Sequence, residues 1–423
     1  MSDPTRAVCL VTGNHLCHNP RVIKGAAALA EAGFDVEVLG GWFSAAMKAR
    51  DQRLMQIMPF RYTPVVDLSG SDGRSRLRRS AAGVRRRIGL LSHAVAGLES
   101  TWQLGPAAQS LGAAARKRRA ALFIAHSEAA LPVIGNLLGR GCRVGVDMED
   151  WYSEDLLPEA RKGRPLRMLQ RMEAELLGRG AFSSCPSDAM SVALASAYSC
   201  CAPTVIYNAF PLAERDAIDG KAADRADTSI PSIHWYSQTL GEGRGLEELV
   251  AALPMISHPA ELHLRGNPAA GFDRWLIERL PSQWRGRVFL HGLVDNDQLM
   301  SRIAEHDIGF AGEMQYCRSR DLTITNKILQ YLLAGLAVVA SDTAGQKEVA
   351  RQAPGAVMLY ASGDTTALAN LLNALLSSRV RLETAKRDAL AAAKRTFCWE
   401  RQQGKLLEAI DRAIASPLTG AKP

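Results

Sequence analysis

The stretch 321-DLTITNKILQYLLAGLAVVASDTAGQKEV-349 decides the fold. Asn326 fits an N-cap position, and the apolar residues that follow have helical spacing up to Gly335, a C-terminal stop. A strand 336-LAVVAS-341 comes next and ends at Asp342. Gly345 then permits a close turn before Glu348. Helix followed directly by an apolar strand is the signature of a parallel α/β layer. Lys327 in the first turn opposes the helix dipole. A residue placed against local preference invites a functional explanation, such as contact with a phosphate; a lysine whose stem snorkels along the surface is the plain alternative.

The same alternation extends in both directions. Residues 232-SIHWYS-237 read as a strand, and the turn 241-GEGRG-245 opens a helix at 246-LEELVAAL-253. Strands follow at 260-AELHLRG-266, 287-RVFLHG-292 and 307-DIGFAG-312, with a helix at 295-DNDQLMSRIAEH-306. Asp295 and Asp297 read as part of that helix cap, not as a metal-binding pair. Towards the amino terminus, 7-AVCLVTG-13, the helix 20-PRVIKGAAALAEAG-33 and 34-FDVEVLGG-41 form a βαβ unit. Further strands are expected at 121-ALFIAH-126, 143-RVGVDME-149 and 203-PTVIYNAF-210, and a long helical stretch at 380–415.

The expected class is therefore α/β with two doubly wound Rossmann-like domains. They divide as residues 1–208, a polar linker 209–230, a second domain 231–385, and a C-terminal helix and tail 386–423 returning to the first domain. Two such domains present two sets of strand carboxyl ends, the edges where open parallel sheets bind ligands. A cleft between them suits a reaction between two substrates.

Composition narrows the function. The chain has 423 residues, 47% hydrophobic and 22% charged, a globular balance. Its net charge of +8 comes almost wholly from 74-RSRLRRSAAGVRRR-87, a run with seven arginines and no acid. As a helix, Leu77, Ala81, Val84 and Ile88 give it a narrow apolar stripe, the pattern of a segment that touches anionic lipid headgroups. A solvated loop has the same composition. Nucleic-acid binding is not expected, because few aromatics accompany the run. No segment reaches the roughly 20 apolar residues that cross a bilayer, and the first residues do not read as a secretory signal. The eight cysteines show no C-x-x-C spacing, which points to reduced thiols and a cytoplasmic protein.

Candidate site residues cluster at strand ends. Gly243, Arg244 and Gly245 stand where backbone amides and a helix N-terminus receive an anion, with Arg244 as a planar fork for phosphate oxygens. An ordinary βα turn has the same glycines. His126 ends one strand, and Asp147, Glu149 and Asp150 follow the next. One of these carboxylates could orient a hydroxyl or take its proton, or cap the following turn. His15 and His18 have i, i+3 spacing but no third ligand, so no metal is expected there.

These segments resemble the retaining GT-B glycosyltransferases, close to glycosyltransferase family 4. The block N-K-x-x-x-Y-x-x-x-G-x-x-V-x-x-S-D-x-x-G-x-x-E stands here as Asn326, Lys327, Tyr331, Gly335, Val338, Ser341, Asp342, Gly345 and Glu348. Asn19, Pro20, Arg21, Lys24, Ala27, Leu29, Gly33 and Val36 resemble the family's opening pattern. The stretch 147-DMEDWYSED-155 is similar to its D-x-H-E stretch, and 397-FCWERQ-402 to its F-S-W-E motif. The resemblance implies transfer of a hexosyl group from a nucleotide-diphosphate sugar to an acceptor hydroxyl, with retention. It places Gly243, Arg244, Gly245, Arg265, Asn326, Lys327, Gln330, Gly345 and Glu348 at the donor nucleotide. Arg265 or Lys327 would supply the second positive charge. It places His126 beside the sugar, and the loop Gly13, Asn14, His15 with Arg21 on the acceptor side.

With cations at the leaving diphosphate, neither a metal nor another cofactor is expected. The expected acceptor is a growing polysaccharide or lipid-linked saccharide, and the enzyme would sit peripherally on the inner face of the cytoplasmic membrane. One departure is plain. Where many members carry E-x7-E, this chain has Leu322 and Gln330, with Asp321 one residue away. Members with the N-K variant commonly lack the pair. Two alternatives stay open at this level: a GT-B nucleotide-sugar epimerase, and a degenerate scaffold that binds a membrane or a partner.

Overall fold

The structure is a computed structural model and describes residues 6–225 and 227–417. The chain forms two units, one holding the described residues to Ile206 and those from Gln403 onward, the other Tyr207–Gln402. In the first unit the strands are β1 (Ala7–Thr12), β2 (Asp35–Trp42), β3 (Arg61–Asp67), β4 (Leu122–His126), β5 (Val144–Asp147), β6 (Phe182–Cys185) and β7 (Thr204–Val205). They form one parallel sheet in the order β3-β2-β1-β4-β5-β6-β7. Every residue of β1 and β4 is buried, as the apolar runs require of strands covered on both faces. The helix Pro20–Glu31 has Pro at its first turn and buries Val22, Ala26 and Leu29, so one stripe of the helical pattern faces the sheet. The last helix, Trp399–Ala415, brings Leu406 to 3.5 Å from the position a side chain at Gly25 would take.

The second unit has β8 (Ser232–Leu240), β9 (Glu261–Pro268), β10 (Val288–His291), β11 (Ile308–Ala311), β12 (Ala337–Ser341) and β13 (Val357–Tyr360). They order β10-β9-β8-β11-β12-β13, again parallel. Alternation gives this sheet two unlike faces. Ile233, Trp235, Leu262 and Leu264 enter an apolar core with Phe310, Val339 and the helices Leu246–Ala252 and Thr365–Leu376. The opposite face is polar. Ser232, His234 and Tyr236 lie beside Glu261, His263 and Arg265. The rings of His234 and His306 stack at 4.4 Å, and those of His263 and His291 at 5.2 Å. Residues 209–225 and 227–230 run along this unit. The Asp219 amide donates to Ser301 Oγ at 2.9 Å, and Arg225 bonds Glu261 at 3.0 Å and Asp307 at 3.2 Å.

The GT-B architecture expected from the sequence is the one observed: two Rossmann-like units with parallel sheets of seven and six strands. In each, the strand order reverses direction once, between β1 and β4 and between β8 and β11. Those two switch points are where doubly wound sheets open a crevice at their carboxyl edge. Among the described residues no helix is long and apolar enough to cross a membrane.

Candidate functional site

At the β8/β11 switch point, the turn after β8 meets the loop after β11. Gly245 sits at φ +80°, and a Cβ there would lie 2.2 Å from the carbonyl oxygen of Gly312. Only glycine combines that backbone with that approach. Arg244, next to it, is exposed and donates to Ser237 Oγ at 3.0 Å. The Gly243 amide bonds the Glu247 carboxylate. Directly after Gly312, Glu313 Oε1 takes Lys327 Nζ at 2.5 Å, and the ammonium lies 5.7 Å from the centre of the Trp235 ring. Lys327 is thus a fixed, largely buried cation at the strand edge, not a flexible surface side chain. It belongs to the helix Asn326–Ala334, whose N-cap is Thr325. The expectation of an Asn326 cap is therefore off by one residue. Asn326 Oδ1 instead accepts from Asn208 Nδ2 at 3.0 Å.

The other residues expected at the donor nucleotide divide. Gln330 is buried and its Oε1 accepts from the Tyr236 hydroxyl. Gly345 and Glu348 are buried on the helix Ala344–Gln352, and Glu348 Oε1 accepts from the Tyr207 hydroxyl at 2.8 Å. Asp321 Oδ1 accepts the Ala344 amide at 3.1 Å, so it caps that helix. Arg265 is turned inward: Nη1 donates to Gly292 O at 2.6 Å and Nη2 to Asp224. Its charge is neutralised inside the unit. Of the two candidates for a second cation, Lys327 is the one beside the glycine turn.

In the first unit, the carboxyl ends of β4 and β5 form a buried charge cluster. Arg21 holds Asp147 with two bonds, Nε to Oδ2 at 2.6 Å and Nη2 to Oδ1 at 2.8 Å, and its Nη1 donates to Ile206 O at 2.6 Å. Ser184 Oγ adds a bond to Asp147 Oδ1 at 2.7 Å. His126 Nδ1 lies 3.2 Å from both Asp147 Oδ2 and Glu149 Oε1. Burial pulls the His126 pKa down, but the hydrogen bonds and charges of Asp147 and Glu149 outweigh it and raise it to about 9. Burial would raise Asp147, yet Arg21 and His126 hold it well below the usual carboxylate range. At neutral pH, two cations face two carboxylates. Asp150 stands beside this cluster, and its charge, with that of Glu149, bears on Tyr152.

His126, Asp147 and Glu149 have ligand atoms within 4.8 Å of one another, a spacing that a metal ion can use. The donor set fits one poorly. Both oxygens of Asp147 already face a guanidinium, and His126 Nδ1 carries the proton shared with the carboxylates.

The loop expected on the acceptor side splits by residue. His15 is buried: its Nδ1 bonds Asp51 Oδ2 at 2.9 Å, and its Nε2 accepts the Phe43 and Ser44 amides at 2.8 and 3.1 Å. Two amides donating to Nε2 require the neutral Nδ1–H tautomer, so this ring pins β2 to the loop and turns no nitrogen outward. Gly13 and Asn14 line a cavity of about 220 Å³ at the β1/β4 switch point, with Phe43, Leu104, Pro106, Ser127 and Glu128. A Cβ at Gly13 would lie 2.6 Å from that of Ala129, so glycine lets the two loops close. Ser127 sits at φ +86°, strained for a non-glycine residue. Its amide bonds the Tyr152 hydroxyl at 3.0 Å, and its Oγ accepts the Gly13 amide at 2.9 Å. Burial raises the pKa of Glu128, opposed by its partner Arg164. Glu128 is the carboxylate that sequence reasoning missed. Its one signal was its position two residues past a strand-ending histidine.

Residues 232–378 match the family model described as glycosyl transferases group 1. No curated protein matches the chain at significant similarity. Among solved structures, the sucrose-phosphate synthase of Thermosynechococcus elongatus is similar at a TM-score of 0.70 and 14% identity, covering 97% of this chain and 100% of that one. Anabaena HepE in complex with UDP-glucose is similar at 0.65 and 17%, covering 96% and 99%. A trehalose-6-phosphate synthase studied for glycosyl transfer with retention is similar at 0.64 and 13%, covering 96% and 99%. Likeness over whole chains at such low identity rests on the fold. The chain has the GT-B fold, and its second unit carries the match to group 1 glycosyl transferases.

Proposed function

We propose that the chain is a glycosyltransferase that moves a hexosyl group from a nucleotide-diphosphate sugar to an acceptor hydroxyl, with retention of configuration. The observation that carries this reading is the β8/β11 switch point. There Gly245 touches Gly312, and the next residue, Glu313, holds Lys327, all within the stretch that matches the group 1 family model. The N-K block and the structural neighbour solved with UDP-glucose support the same reading.

The chemistry asks for positive potential where the diphosphate departs. Arg244 and Lys327 supply it, and a fixed cation needs no reorganisation as charge builds on the leaving oxygen. A diphosphate competes with Glu313 for the Lys327 ammonium. These cations would do the work that some transferases leave to a metal. The acceptor is a growing polysaccharide or lipid-linked saccharide, with the cavity lined by Gly13, Asn14 and Glu128 as its seat. Retention rests on the resemblance and on the neighbour studied for it.

The test is a thermal-shift series with UDP, GDP, ADP and dTDP, followed by NMR of the protein with the matching nucleotide sugar. The base that binds should stabilise the protein by about 2.7 kcal/mol at 100 times its Kd. Indifference to all four sinks the reading. A sugar epimer formed without any acceptor replaces it with an epimerase.

A further inference from the structure

The arginine run folds as the helix Gly73–Ala96, capped by the Asp72 side chain and ended at Gly97 with φ +64°. Its 24 residues extend about 36 Å. Its apolar side chains are bare: Leu77 is 72% exposed, Val84 53%, Ile88 47%, Leu91 66% and Val95 79%. At 3.6 residues per turn these five fall within about 40° of a single line. On either side, about 80–100° away, stand Arg78 and Arg85 and then Arg76 and Arg87. The helix has no Asp or Glu.

The protein body is reached from the back of the helix. The site of a Cβ on Gly89 lies 3.2 Å from Ser100 Oγ and 3.4 Å from Trp102 and Gln103, and Arg79 donates to the carbonyls of Leu68 and Gly70 at 2.6 and 2.5 Å. The apolar line therefore points away from the fold.

An apolar stripe flanked on both sides by arginines fits a lipid interface. The stripe enters the acyl boundary while the long arginine stems carry their charges back to the headgroups. An acidic protein surface would match the charge and leave the stripe uncovered. We propose that the helix Gly73–Ala96 lies in the plane of an anionic bilayer and seats the first unit on it. This goes beyond the transfer reading and stands without it. One structural link joins the two: the segment that packs on Gly89 continues directly into Leu104–Pro106, a wall of the cavity.

The test is co-sedimentation of the full chain with phosphatidylcholine vesicles, with and without roughly one-third phosphatidylglycerol. Binding should need the anionic lipid and weaken with salt. Replacing three flanking arginines (R76Q/R85Q/R87Q) should lower the partition by about a hundredfold, at about a fivefold loss per arginine. V84S/L91S keeps every charge and should lower it by a similar factor, since both side chains leave the acyl boundary. Both positions are exposed, so an unchanged urea midpoint accompanies the loss. Equal binding to both vesicle types, or none, overturns the proposal. So does loss in the arginine variant with full binding by V84S/L91S, which would reassign the helix to a polyanion or acidic protein. A nucleotide-dependent thermal shift in a protein that ignores vesicles overturns docking and leaves the transfer reading intact.

Discussion

Asp147→Asn isolates what the buried cluster of the first unit does. The carboxylate receives Arg21 at 2.6 and 2.8 Å, Ser184 at 2.7 Å and His126 at 3.2 Å. An amide keeps the shape but removes the charge and turns an N–H pair towards one of these donors. Arg21 and His126 then stay buried with too little negative charge, a situation that costs about 3–5 kcal/mol. The proton on His126 gives a second, sharper readout. Its pKa of about 9, against 6.5 for the free side chain, corresponds to about 3 kcal/mol favouring the protonated folded form. Because the folded value is raised, this stability is fully present below about pH 6.5 and lost as pH rises through about 9. Wild-type urea midpoints should therefore decline across that window, and a histidine NMR titration should show one ring titrating near its upper end. In Asp147→Asn the midpoint should be low throughout and that decline largely absent. A variant that keeps the wild-type slope refutes the reasoning, since Asp147 would then not hold the His126 proton.

Further expectations bear on the second unit. Lys327→Ala should weaken nucleotide-diphosphate binding by at least about tenfold, the loss of one charge-assisted hydrogen bond; calorimetry with an unchanged Kd would move the diphosphate elsewhere. Gly245→Ala puts a Cβ 2.2 Å from Gly312 O at φ +80°. It should cost at least about 1–2 kcal/mol and impair nucleotide binding, and a wild-type melting temperature with intact binding would show that the turn can yield. Burial pushes His234 and His306 well below the usual imidazole range, with Arg265 adding to it at His234, Arg225 at His306 and neighbouring imidazoles at both. The unfolded chain therefore takes up protons first as pH falls below about 6.5, and the second unit loses stability there. Neither His234 nitrogen has a partner among the described residues. His234→Phe should raise stability at neutral pH by about 1 kcal/mol and flatten the acid limb of the urea midpoint, and a steeper limb would contradict this account.

Sheet elements were legible where the strand itself carries a sustained apolar or alternating pattern. β1, β2, β4, β5 and β8 to β12 are apolar or alternating runs that end in glycine or polar residues, and each was expected near its observed place. β3, β6 and β13 left no such trace. β3 reads RYTPVVD and lies at the sheet edge, where Pro64 needs no donor and one face can stay polar. β6 is four residues with two serines, too short for a period to show. Such strands are recruited by a neighbour's free edge, which local sequence does not contain. The stretch 203–210 shortened to Thr204–Val205 for the complementary reason, since the strand lasts only as far as its pairing with Ser184 and Cys185.

The site was legible as residue types and not as bonds. Arg21 and Asp147 were both candidates, but 126 positions separate them, and nothing in either segment says that the arginine faces the carboxylate instead of a ligand. Arg265 shows the cost of that blindness. At a strand end it reads as a phosphate cation, yet its counter-charge Asp224 comes from a polar segment that reads as a connection. Lys327 shows the opposite. Its unfavourable place in a first helical turn was visible in sequence, and its fixing by Glu313 and Trp235 supplies a reason for it. A charge set against local preference is informative when its partner is close in the chain, as Glu313 is, because the loop that joins them has few ways to close. Partners more than a hundred residues apart meet only through sheet order, so a carboxylate such as Glu128, whose role depends on what the β1 loop places opposite it, emerges only once strands β1 and β4 are known to be neighbours.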